Sequence, residues 1–189
     1  MNDCEKKIAV FCGSNQGKIS NYTNAAAALG RELASRKIGL VYGGASSGLM
    51  GAVASSVIES GGHVTGIMPS YLYRRELLMP GLSELLLVPG LSERKQMMGR
   101  LVDAVILLPG GIGSLDEFFS IWAEVQLAEK KLPCVIYNVD GYFNSIISFL
   151  DKAQSDGFVN TVSRSLVRVC TDVSSCISHI EKLQEVEMA

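Results

Sequence analysis

Short, unbroken apolar runs alternate along the chain with longer stretches in which apolar residues return every three or four positions. The runs at 8–12, 39–42, 64–68, 85–88, 104–108, 134–137 and 167–170 predict strands. The stretches at 21–36, 49–59, 92–101, 115–128, 141–155 and 173–184 predict helices; the first is rich in alanine and the second closes on Gly61-Gly62. Strands without a polar alternate face are buried on both sides, so the pattern predicts an α/β fold: a parallel sheet with helices on both faces. Only 69–80, rich in Tyr, Arg and Leu, resists assignment.

In such sheets ligands gather at the carboxyl ends of strands, near the point where strand order reverses. Three glycine-bearing loops leave predicted strand ends, at 13–17, 43–51 and 110–113, and are expected to converge there. The third is the richest in chemistry. Pro109-Gly110-Gly111-Ile112-Gly113-Ser114-Leu115-Asp116-Glu117 joins a buried strand to a helix. Glycines at such a turn let bare backbone approach a ligand, and the helix start offers it unpaired N–H groups. That suits an anion, most simply a phosphate, with Glu117 expected in the first helical turn to act on what the phosphate carries. Ser114-x-x-Glu117 equally fits a capping box, a purely structural use. Asp116 and Glu117 lie about 100° apart around a helix and make a poor acid–base pair.

Arg94 is the second candidate. Leu91, Arg94, Met98 and Leu101 fall on one helical stripe, so Arg94 takes a position that packing would give to an apolar side chain. Either it snorkels to water or it turns into a cleft that holds a compensating anion. Lys95 offers a second cation. Gly13 and Ser14 in the first loop, and Gly43, Gly44, Gly48 and Met50 in the second, are further candidates for holding substrate. Neither loop has the spacing of a nucleoside-triphosphate loop or of a dinucleotide fold, which disfavours a hydride-transferring dehydrogenase.

Composition narrows the classes. At 189 residues the chain is expected to be a single domain, and a balance of 17 basic against 19 acidic residues gives no electrostatic case for nucleic acid or anionic membrane. The first apolar run is too short for a signal peptide and no run could span a bilayer. Five cysteines without a Cys-x-x-Cys pair, and two isolated histidines, point to a reduced, cytoplasmic protein with no structural metal site.

Four segments in order resemble the Lonely Guy family, the cytokinin riboside 5′-monophosphate phosphoribohydrolases. Pro109–Glu117 resembles the family's P-G-G-x-G-T-x-x-E, and Glu93-Arg94-Lys95 with Met98 its E-R-K-x-x-M. Residues 43–51 resemble G-G-G-x-x-G-L-M-G, and Asn138-Val139-Asp140-Gly141-Tyr142-Phe143 the turn N-V-D-G-Y-Y. The resemblance spans residues 8–158. It implies a Rossmann-like, doubly wound sheet, a homodimer with the active site near its interface, and no cofactor. It also implies that Arg94 and Glu117 match the catalytic pair. Glu76, Lys95 and the segment Gly110, Gly111, Ile112, Gly113, Ser114, Leu115, Asp116, Glu117 match substrate-binding positions.

The expected reaction is hydrolysis of the N-glycosidic bond of a purine nucleoside 5′-monophosphate to free base and ribose 5-phosphate. Arg94 and the helix N-terminus are expected to keep Glu117 ionised. Ser114 stands for the family's threonine, Asp116 for glutamate, Ala45 for glycine and Ser92 for histidine. Ala123-Glu124 replaces Thr-Trp, a change expected to bear on the base. The alternative is a non-catalytic nucleotide or molybdenum-cofactor carrier of the same fold. A pyridoxal-phosphate decarboxylase is a weaker one, since no motif places a Schiff-base lysine.

Overall fold

A parallel sheet of seven strands organises the residues that the computed structural model describes, 6–73, 77–127 and 132–188. The strands are β1 (Lys6–Phe11), β2 (Ile38–Tyr42), β3 (Val64–Pro69), β4 (Glu84–Val88), β5 (Ala104–Leu107), β6 (Cys134–Tyr137) and β7 (Val167–Cys170). Between and after them run α1 (Ser20–Ser35), α2 (Gly48–Glu59), α3 (Leu91–Leu101), α4 (Ile112–Leu127), α5 (Asn144–Ser155), α6 (Thr161–Ser165) and α7 (Val173–Met188). The spatial order is β4-β3-β2-β1-β5-β6-β7. The chain therefore winds outward from β1 to one edge, returns to β5 on the other side of β1, and winds outward again. This is the Rossmann-like, doubly wound arrangement, and its reversal lies between β1 and β5, which pair from Ile8↔Ala104 to Phe11↔Leu107.

Alternation along the central strands feeds two cores. Ile8 and Val10 of β1 and Ile106 of β5 face Leu29 and Leu33 of α1, Val53 and Val57 of α2, and Ile177 of α7. Ala9, Phe11, Val105 and Leu107 face Met98 of α3, Phe118, Ile121 and Trp122 of α4, and Leu150 of α5. Burial on both faces explains the unbroken apolar runs. No helix among the described residues is long and apolar enough to cross a membrane.

Two helix starts shift by three residues, and one short helix was not expected. Helix α4 begins at Ile112, three residues ahead of the expected start at 115, with Leu115 N–H already bonded to Gly111 O at 3.1 Å. Packing of Phe118, Ile121, Trp122 and Val125 on the sheet outweighs the low helix propensity of Gly113. A 3₁₀ turn at Val139–Gly141, with Asp140 in the left-handed region (φ 49°), delays α5 to Asn144. Helix α6 is too short to carry a periodic pattern. It is held by Asn160, whose Oδ1 accepts from Ser163 N–H at 2.8 Å, and by Trp122 Nε1 donating to Ser163 O at 3.1 Å.

Helices α1 and α2 meet at Gly30, where an added Cβ would lie 2.5 Å from Val53 O and 2.9 Å from Ser56 Cβ. The nearest atom is backbone and cannot swing away. Alanine's better helix propensity, about 1 kcal/mol over glycine, is then outweighed by overpacking of roughly 1–3 kcal/mol. Gly30→Ala should lower the urea midpoint and Gly30→Val lower it further; an unchanged midpoint would show that the two helices move apart freely.

Candidate active site

A cavity of about 520 Å³ opens over the carboxyl ends of β1 and β5, where the strand order reverses. Its walls are the first glycine loop, Gly13 to Gly17, the segment Pro109 to Ser114, and the side chains of Cys12, Tyr22, Leu49, Met50, Arg94, Glu117 and Tyr142. Backbone bonds fasten the loops together. Gly13 N–H donates to Pro109 O at 3.0 Å, while Gly13 O accepts from Leu49 N–H at 3.0 Å and Met50 N–H at 3.3 Å. Tyr142 Oη donates to Gly110 O at 2.7 Å.

The glycines divide into two kinds. At Gly110 an added Cβ would strike the Ser114 side chain and come within 2.9 Å of Gly13 N; at Gly48 (φ 59°) it would strike the Ser14 backbone. These residues are glycine because the protein's own loops pass too close for anything larger. Around Gly111 and Gly113 a Cβ would meet nothing, and neither has a positive φ. The fold itself makes no demand for glycine there, and both line the cavity. Ahead of the first α4 bond, the N–H groups of Ile112, Gly113 and Ser114 have no intrahelical acceptor, which leaves them for an anion.

Arg94 comes from α3 and Glu117 from α4, and their side chains meet in the cavity wall, Nη1 to Oε1 at 3.2 Å. The two are only 12% and 16% exposed, so neither is a snorkelling surface charge. The guanidinium lies against Gly43, where a Cβ would collide with both Nη2 and Met50 Cε. Its Nε is buried without a hydrogen-bond partner. The pattern of the helix was misleading in one respect: Leu91 is exposed, so the stripe is anchored on the core by Met98 and not by its first member.

Two expectations for Glu117 are corrected. It is the sixth residue of α4, beyond the first turn, so helix-end charge reaches it weakly and Ser114 does not form a capping box with it. Its carboxyl stands above the ordinary glutamate range and not below it: burial raises it most, Arg94 opposes this, Asp116 raises it and Lys95 lowers it. Burial outweighs the arginine. Cys12 in the cavity wall is pushed far up by burial and by Glu117, which makes it a poor nucleophile.

Other predicted site residues are brought elsewhere. Lys95 Nζ is held at 3.0 Å by both carboxylate oxygens of Asp116 and by Ser120 Oγ, outside the cavity lining. Leu115 packs in the second core. Gly43, Gly44 and Gly48 shape the cavity without lining it; Gly44 (φ 86°) packs under Met68. Ala123 and Glu124 are exposed and do not line it. Glu76 lies outside the described residues. Tyr22, missed in the sequence, meets Tyr142 edge to face at 5.5 Å across the cavity mouth. Its signal was slight, one aromatic near the start of an alanine-rich helix. Among the described residues no lysine lines the cavity, and no three His, Cys, Asp or Glu side chains could hold a metal ion.

Comparison with known proteins gives the following. A family model described as "Possible lysine decarboxylase" matches residues 50–180. A cytokinin riboside 5′-monophosphate phosphoribohydrolase of Arabidopsis thaliana is 43% identical over 179 residues, 94% of this chain and 82% of that protein. A probable enzyme of the same name from Oryza sativa subsp. japonica is 42% identical over 177 residues, 94% of this chain and 78% of its own. Among solved structures, the molybdenum cofactor carrier protein of Chlamydomonas reinhardtii has a TM-score of 0.71 at 20% identity, covering 95% of this chain and 98% of that one. The molybdenum cofactor binding protein of Rippkaea orientalis has 0.73 at 18%, covering 94% and 96%. At such identities the likeness is one of fold.

The free space at Gly111 and Gly113 is testable. Gly113→Ala should keep or slightly raise the unfolding midpoint and Gly111→Ala, at the helix cap, lower it only slightly, yet both should weaken binding of a nucleoside 5′-monophosphate by about tenfold or more in calorimetric titration. Unchanged affinity in both variants would remove the anion cradle from this turn.

Proposed function

The chain belongs to the family of the cytokinin riboside 5′-monophosphate phosphoribohydrolases, and from that premise we infer that it hydrolyses the N-glycosidic bond of a purine nucleoside 5′-monophosphate to free base and ribose 5-phosphate. The observation that carries the residue roles is the Arg94–Glu117 pair at 3.2 Å in the wall of a cavity rimmed by free helix-start N–H groups.

The 5′-phosphate is held by the N–H groups of Ile112, Gly113 and Ser114, close to the first glycine loop. The ribose then lies toward Glu117 and the base toward the outer wall, where Tyr22, Tyr142 and Ile112 offer apolar surface. Breaking the bond sends its electron pair to the base, which takes a proton from solvent as it departs, and leaves positive charge on the C1′–O4′ unit, as in glycoside hydrolysis. The Glu117 carboxylate stabilises that charge, orients the attacking water and takes its proton as water adds to C1′. Arg94 fixes the carboxylate in place and opposes the effect of burial on it. A passive carrier has no need of such a pair, and a decarboxylase would need a cavity lysine, which none of the described residues supplies.

Prenylated adenine is the base we favour, with plain adenine as a second substrate. The assembly we propose is a cytoplasmic homodimer. Ile112 at 87% and Leu127 at 85% exposure, at the two ends of α4, offer apolar surface for a second copy, and the four described cysteines are free thiols. Sedimentation equilibrium should give twice the chain mass.

Incubation with AMP, N6-isopentenyl-AMP, GMP and CMP, followed by chromatography, should yield free base and ribose 5-phosphate from the adenine nucleotides and nothing from CMP. Stoichiometric binding without base release would favour the carrier. Glu117→Gln and Arg94→Ala should each lower turnover by roughly 10²–10⁴-fold while folding normally.

The pH profile separates their roles. A carboxyl that stands high is charged only at higher pH, so kcat/KM should fall on acidification at a pH above the ordinary glutamate range. Arg94→Ala removes the opposing influence and should move that limb further up; Glu117→Gln should erase it. A limb unmoved in Arg94→Ala would sever the arginine from the carboxylate.

A further inference from the structure

The turn at residues 138–143, which follows β6, takes no direct part in breaking the glycosidic bond. It carries two consecutive residues in the left-handed region, Asp140 (φ 49°) and Gly141 (φ 73°). For Asp140 that conformation is unfavourable, so its neighbours must hold it. Asn138 Oδ1 accepts from Phe143 N–H at 2.7 Å, while its Nδ2 donates to Asn144 Oδ1 at 2.8 Å. Tyr142 N–H donates to Val139 O at 3.0 Å. From α1, Asn21 Nδ2 donates to Asp140 Oδ2 at 2.9 Å.

This bracing fixes Tyr142. Its ring meets buried Phe143 edge to face, with centroids 4.8 Å apart, and meets Tyr22 in the same way at 5.5 Å. Its hydroxyl donates to Gly110 O at 2.7 Å. A phenol has one proton, and this bond uses it, so Tyr142 has none to give a substrate. The carbonyl it holds belongs to the peptide unit between Gly110 and Gly111. A unit flanked by two glycines turns more freely than any other, because neither residue has a Cβ to resist rotation. At Gly111 even an added Cβ would meet nothing within 4 Å. In a planar trans peptide the C=O and N–H point opposite ways. Holding the carbonyl on Tyr142 therefore turns the Gly111 N–H away from the tyrosine, and that N–H has no acceptor among the described residues.

We infer that Tyr142 is a positioning residue for substrate: its hydroxyl pins the Gly110–Gly111 peptide so that the Gly111 N–H joins those of Ile112, Gly113 and Ser114 in holding the 5′-phosphate. The inference rests on the phosphate reading of the α4 turn. It gives the 138–143 turn a purpose, since the braced backbone there delivers one hydroxyl to one carbonyl of the cradle. Without that bond the peptide rotates, and its carbonyl oxygen repels the phosphate in a share of the molecules.

Tyr142→Phe removes the hydroxyl and keeps the ring against Tyr22 and Phe143. In calorimetric titration it should weaken ribose 5-phosphate and AMP alike, by roughly tenfold. Adenosine, which lacks the phosphate, should bind both forms equally. In steady-state assays KM should rise by a similar factor with kcat nearly unchanged. In protein labelled with ¹⁵N-glycine, the Gly111 amide signal, assigned by its loss in Gly111→Ala, should move when ribose 5-phosphate is added and move less in Tyr142→Phe. Wild-type protein that does not bind ribose 5-phosphate would remove the phosphate reading, and this inference with it. Full affinity for ribose 5-phosphate in Tyr142→Phe, or a wild-type Gly111 signal that ignores the ligand, would overturn the inference alone. So would a loss of adenosine affinity as large as that of AMP, which would place the effect of the hydroxyl on the base.

Discussion

The constraint on which the rest depends is the reversal of strand order between β1 and β5. Two loops that leave adjacent parallel strands in opposite directions open a gap between them, and the gap is where a ligand fits. The same reversal forces a long return. After β4, at the edge, the chain must recross the sheet to reach β5 at its centre, and α3 is the element that does so. Its passage brings Arg94 from the edge to the end of β2, where Gly43 leaves room for the guanidinium. Helix α4 then starts directly beneath the gap and presents Glu117 one turn in. Arginine and carboxylate meet because the winding of the sheet sends both helices to one place.

What happens when they meet is a contest of known sign. A carboxylate in a wall that is 16% exposed loses hydration, and an arginine at 3.2 Å returns part of the loss. Had the arginine prevailed, the carboxyl would sit below its usual range. It sits above, so burial dominates. A poorly hydrated carboxylate interacts more strongly with nearby positive charge than a hydrated one, because less water screens it. For a reaction that develops positive charge on a sugar, that imbalance favours the transition state over the resting site.

Much of this was legible from hydrophobic spacing. All seven strands were placed within a few residues, since burial on both faces writes itself into unbroken apolar runs. The Arg94–Glu117 pair was legible as well: an arginine on an apolar stripe and a glutamate after a glycine turn are each out of place until paired. The start of α4 was hidden. A local pattern cannot show that Phe118 and Trp122 hold the glycine-rich turn helical. The pairing of Lys95 with Asp116 was hidden for a related reason. Sequence shows that a charge exists, not which way it faces, and these two satisfy each other on the surface at 3.0 Å. Helix α6 left no trace because its stability comes from one cap and one tryptophan, neither periodic.

The glycine turn shows why a motif can be conspicuous without being uniform in purpose. Gly110 is required by the protein, since its Cα passes against Gly13 and Ser114 whether or not a ligand is present. Gly111 and Gly113 relieve no clash among the described residues; remove the ligand from consideration and alanine would serve better at Gly113, inside the helix, while Gly111 sits at the cap, where glycine is merely tolerated well. A residue that costs helix stability and relieves no internal clash has to be explained by something outside the chain. The nearest unpaired groups are the N–H donors of the α4 first turn, and the nearest charges are the arginine and carboxylate behind them. An anion small enough to approach bare backbone, attached to a group that needs a carboxylate, satisfies all three at once. A phosphate on a ribose is such a ligand, and it accounts for the two unforced glycines that the fold alone leaves unexplained.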